Sequence, residues 1–143
     1  MAYLTEPLAT ARVGGSDLWR ELTDDDGDGT PDANVKVLLL GQVDSLLDGY
    51  AARAGYTIPL AATDVALLMP ALLDVSNYKA KTRRGRASKE DLENYKNALA
   101  LFKMLADGDF VLPSASAGDT GAFANLNFDG YEQQYNRDTL RNL

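Results

Sequence analysis

The chain has 143 residues, 45% hydrophobic and 24% charged, with a net charge of −7, a balance that suits one folded domain rather than a disordered chain. It contains no cysteine and no histidine, which removes disulfides, thiolate metal sites, cysteine nucleophiles and the usual general base, so the expectation is no catalytic residues and no enzyme. The acidic surplus also argues against sequence-independent binding to nucleic acid, which needs a basic surface.

The opening segment "MAYLTEPLATARVGG" has neither a basic start nor an apolar core, and no apolar run is long enough to span a bilayer, so synthesis in the cytoplasm without membrane attachment is expected. Short helical pieces are expected in this region, with Ser16 or Asp17 capping "GSDLWRELT" and Leu18, Trp19 and Leu22 as its apolar contacts.

The stretch "LTDDDGDGTPDANV" follows, with five aspartates and two glycines between Asp24 and Asp32. Asp24, Asp26 and Asp28 at alternate positions, then Gly29 and Asp32, follow the order of a calcium loop: successive side-chain oxygens, a glycine for the turn, and a later carboxylate. The position that should carry a bidentate glutamate is Val35. These four aspartates are therefore a candidate structural calcium site. The alternative is a hydrated turn whose charges complement the N-terminus of the next helix, worth about 0.3–1 kcal/mol per charge.

From Pro31 the spacing of Val35, Leu39, Val43, Leu46, Leu47, Tyr50 and Ala54 predicts a helix over 31–54, with Thr30 as cap. Gly55 ends it. A second helix is expected over 64–82, capped by Thr63 or Asp64 and bent or interrupted at Pro70. The basic segment from Lys79 to Lys89 holds six bases and no acid, whereas residues 1–32 hold two arginines against eight acids. Arg83, Arg84 and Arg86 have three readings: hydrated cations at a helix C-terminus, a DNA contact, or docking onto the acidic face of another copy or another protein. Ser88, with Asp91 three residues later, predicts a capping box for a third helix over 88–107, and "DFVLP" a short strand or extended link.

After Pro113 the composition turns small and polar, yet Phe123, Phe128, Tyr131 and Tyr135 fall within thirteen residues. This division predicts a helical domain over 1–113 and an arm over 114–143. The arm either orders against a partner, with Arg137 and Arg141 among its contacts, or folds back over its own bundle. The fold class expected is mainly α: three long helices, short N-terminal ones, and an extended C-terminal arm.

Three stretches in this order, "VDSLLDGYAARAGYTIPL", "LLDVSNYKAK" and "ENYKNALALFKMLADGDFVL", together with the closing "NRDTLRNL", resemble the Mu-like head-to-tail connector (head completion or adaptor) proteins of tailed bacteriophages. Pro70 and the segment 114–127 depart from that pattern. The resemblance implies a homo-oligomeric ring, twelve copies being the expected number, in the neck of the virion. There it would sit below the portal protein and above the tail or its stopper, with genomic DNA passing through the lumen without specific binding. The alternative from the residues alone is a small calcium-binding helical module acting through a partner protein; a hydrolase has only scattered carboxylates behind it.

Overall fold

A computed structural model describes residues 2–114. The expected arm over 114–143 lies outside the described range except for its first residue, Ser114. Five helices follow in order: α1 (Glu6–Val13), α2 (Ser16–Thr23), α3 (Ala33–Arg53), α4 (Ala62–Thr82) and α5 (Lys89–Asp107). The fold is mainly α, as the apolar spacing predicts, and the described residues contain no strand; residues 109–112 form a link without regular structure.

The three long helices form because each carries an apolar stripe. On α3, Leu39, Val43, Leu47 and Ala51 recur every fourth residue and are all at most 3% exposed, so one face of the helix closes the core. Leu68, Leu72 and Val75 of α4 and Ala98, Phe102 and Leu105 of α5 meet them. Trp19 and Leu22 of α2 pack over the same cluster.

Two ion pairs fix how the helices run. Arg53 and Asp107 join the C-terminal ends of α3 and α5, while Lys81 near the end of α4 pairs with Asp91 at the start of α5. Hence α3 and α5 run the same way and α4 runs against both. The bundle has two ends: one holds the start of α3 and the α4–α5 turn, the other the α3–α4 loop and the end of α5.

Some boundaries differ from the expected ones. Asp32, not Thr30, is the N-cap of α3, because the segment from Asp24 to Pro31 is tied into a loop closed by the Asp32 amide on the Thr23 carbonyl at 3.1 Å. Gly15 precedes α2, so Ser16 and Asp17 lie inside it. The fourth helix starts at Ala62, with Asp64 in its first turn. Pro70 does not interrupt α4. Pro70 and Ala66, the residue whose carbonyl loses its helical donor, are both exposed, so the missing bond falls on the solvent side. The capping box is present: Ser88 Oγ accepts from the Asp91 amide at 3.1 Å and Asp91 accepts from the Ser88 amide at 2.9 Å.

Candidate functional site

The acidic loop and the basic turn, sixty residues apart in sequence, meet at the same end of the bundle. Arg83 reaches Asp25 Oδ2 at 2.7 Å and Arg84 reaches Asp25 Oδ1 at 2.9 Å. Arg83 also donates to the Leu22 carbonyl at 3.3 Å, Arg84 to the Asp24 carbonyl, and Arg86 pairs with Glu21. The three arginines offered as partner-binding residues thus have partners within the chain. A second protein docking on them would have to compete with Asp25 and Glu21, neither of which the calcium-loop pattern singles out.

The loop is built from its own side chains. Asp24 accepts the amides of Gly27 at 2.7 Å and Gly29 at 2.8 Å. Asp28 accepts the amide and hydroxyl of Thr30, and Asp32 accepts the amide of Asp25 at 2.6 Å. Gly27 and Gly29 adopt φ of +77° and +87°, a left-handed backbone that favours glycine. Partial desolvation works to raise the Asp24 pKa, but the Gly29 and Gly27 amides hold it below the usual range. At Asp26 the Asp28 amide works to lower the pKa, yet desolvation and the carboxylates of Asp28 and Asp32 push it up. This is the signature of like charges held close.

Carboxylate oxygens of Asp24, Asp26 and Asp28 come within 4.8 Å of one another, close enough to share a cation. Asp32 is not in that group and is engaged by Asp25. Val35, at the position where a calcium loop places its bidentate ligand, is half-buried in the first turn of α3. The four candidate aspartates thus supply three convergent carboxylates, each already accepting a backbone amide.

The opposite end fixes where the chain leaves the bundle. Leu112 is fully buried and its amide donates to Tyr56 Oη at 2.9 Å. The amide of Ser114 donates to Asp64 Oδ1 at 3.1 Å, and its hydroxyl donates to the same carboxylate. Asp64, expected as a cap, instead holds the start of the C-terminal segment. Phe123, Phe128, Tyr131, Tyr135, Arg137 and Arg141 lie outside the described residues.

A second carboxylate that sequence reasoning passed over is Asp44. It is 7% exposed and accepts the amides of Tyr3 at 3.0 Å and Leu4 at 3.1 Å. Burial pushes its pKa up against the pull of these two amides. Tyr3 Oη also donates to Asp48 at 2.6 Å and accepts from the Leu60 amide at 2.9 Å, so the N-terminal segment is strapped across α3 to the α3–α4 loop.

No polar cluster among the described residues resembles a poised nucleophile and base; what the geometry offers is a charged clamp at one end and a stapled chain exit at the other. No described helix is long and apolar enough to cross a membrane. A family model described as Bacteriophage Mu, Gp36 matches residues 6–127, taking in all five helices. A comparison with curated proteins finds no match.

Proposed function

The chain belongs to the Bacteriophage Mu Gp36 family, and from that membership we propose that it is a structural protein of the virion neck: a head-to-tail connector, or adaptor, that assembles as a ring below the portal. In this role it prolongs the DNA channel and gives the tail or its stopper a surface to dock on. The observation that carries the reading is the family match across residues 6–127, together with the connector-like motifs in helices α3, α4 and α5.

Other features agree in kind. The chain carries no histidine and no cysteine, the usual general base and thiol nucleophile, which is compatible with a scaffold. Its charge of −7 lets DNA slide past a lumen by repulsion of phosphate rather than by adhesion. The aromatic C-terminal segment supplies apolar area for a neighbour or the portal.

The decisive experiment is a phage carrying a nonsense codon early in the gene for this chain. Under non-permissive conditions its lysate should hold DNA-filled heads and free tails side by side, and adding the purified protein should restore joining. Tail-bearing particles in normal yield would refute the connector role.

The alternative, a small calcium-binding helical module acting through a partner protein, is favoured by one observation: the convergence of Asp24, Asp26 and Asp28. It requires that millimolar calcium raise the melting temperature and alter the helix content, an effect magnesium and sodium at matched ionic strength do not reproduce. An unchanged melt discards it.

A further inference from the structure

The first half of α3 carries an apolar face that the bundle leaves uncovered. Val37 is 73% exposed and Leu38 65%, more than any other large apolar side chain among the described residues. They line a shallow groove with Gly41, Leu46 and Lys79. Gly41 sits in mid-helix, where glycine is the poorest former after proline, and a Cβ added there meets no other described part of the fold within 4 Å. Nothing inside the described fold requires that glycine, and its bare backbone leaves the groove floor open to close approach. Lys79 makes no ion pair with a described residue.

The chain exit lies at the other end of the bundle. Ser114 is held by Asp64, and from Asp64 to Lys79 the α4 axis covers about 22 Å at 1.5 Å per residue. Beyond the exit, residues 123–135 read "FANLNFDGYEQQY", with four aromatics, the acids Asp129 and Glu132, and no lysine or arginine. The aromatics match Val37 and Leu38, and the acids match Lys79. Phe123 is nine residues past Ser114, a contour of at most about 30 Å, longer than the distance of about 22 Å between the two ends of the bundle.

We propose that the face formed by Val37, Leu38 and Gly41 receives residues 123–135 of a neighbouring copy. The inference rests on the ring reading above and gives it a contact. Joining the exit end of one subunit to the loop end of the next uses two different surfaces, the heterologous geometry that repeats around a closed ring. Aromatic side chains docked on a preformed apolar face are the usual anchors of such contacts.

The test uses the full chain. A Leu38→p-benzoylphenylalanine variant, mixed as light and heavy isotopic forms and irradiated, should give a covalent product joining position 38 of one chain to a peptide within 123–135 of another. A Gly41→Leu variant should keep the wild-type far-UV spectrum with an equal or higher melting temperature, and weaken self-association about tenfold or more, as loss of an interface anchor does. Crosslinks confined to single chains, crosslinks to another region, or wild-type association by Gly41→Leu would each overturn the proposal. If rings form while position 38 finds no such peptide, this placement fails and the ring reading stands. If the chain stays monomeric at every concentration, alone and with tail-less heads, both fail.

Discussion

Asp91 is the most heavily used carboxylate in the bundle, and its removal has a calculable cost. Its oxygens accept from the Ser88 amide at 2.9 Å, from Asn77 Nδ2 at 2.7 Å and from Lys81 Nζ at 3.1 Å, with the residue 8% exposed. Desolvation works to raise its pKa, but the Ser88 amide, Lys81 and Asn77 outweigh it and bring it down from 3.8 to about 2. A carboxyl held that far below its unfolded value stabilises the folded state by roughly 2 kcal/mol once ionised in both states. Because the folded pKa is the lower one, this contribution is complete above the unfolded value and is lost as the pH falls from about 4 to about 2. Counting the groups directly agrees: a lost cap costs about 1 kcal/mol, a largely buried ion pair about as much again, and the Asn77 amide left without its acceptor about 1 kcal/mol or more. Asp91→Ala should therefore cost roughly 3 kcal/mol in urea unfolding at neutral pH, read by far-UV circular dichroism. Asp91→Asn, which keeps an acceptor for the Ser88 amide, should cost less, and its deficit should shrink as the pH is lowered through that window. A loss below about 1 kcal/mol for the alanine variant, or an asparagine deficit that ignores pH, would refute the account.

Other perturbations read the two ends separately. Asp44→Ala leaves the buried amides of Tyr3 and Leu4 without their acceptor; about 2–4 kcal/mol should be lost, and hydrogen exchange at those two amides should accelerate while the α5 amides stay protected. A chain ended after Ser114 should melt as the full chain does, whereas one ended after Asp109 loses fully buried Leu112 and its bond to Tyr56 and should lose about 3 kcal/mol. In a double-mutant cycle, Arg83→Ala and Asp25→Ala should couple by only about 0.5–1 kcal/mol, since their side chains are 32% and 45% exposed, and added salt should reduce the coupling.

The long helices are legible from sequence because burial repeats with helical period: the Leu39–Val43–Leu47–Ala51 stripe and the Ser88–Asp91 box involve residues within a turn or two of each other. What pattern reading passes over is polar and distant. Asp44 stands beside the apolar stripe of α3 and looks like a solvent residue until the Tyr3 and Leu4 amides are laid against it. The basic run and the acidic loop look like two faces for outside partners because nothing local says that the turn after α4 folds back onto the loop after α2. Asp64 reads as a cap since its true partner, Ser114, lies fifty residues on. Val37 and Leu38 were hidden for the opposite reason: they sit among apolar neighbours, and only the packed helix shows that they point outward.

The internal pairing of the charged segments changes what force can hold copies together. Of the six bases between Lys79 and Lys89, four already have acidic partners, Lys81 on Asp91, Arg83 and Arg84 on Asp25, and Arg86 on Glu21. Only Lys79 and Lys89 make no ion pair with a described residue. A ring held by opposite charges on successive subunits would have to break those pairs first, each docked charge gaining little over the one it left. A ring held by aromatic side chains on the α3 face meets no such competition, and between copies that each carry −7 it must overcome net repulsion instead. Raising the salt screens that repulsion and leaves apolar burial intact. Self-association followed by sedimentation should therefore hold or strengthen as sodium chloride rises through the physiological range; dissociation over that range would point back to an electrostatic contact through Arg83, Arg84 and Arg86.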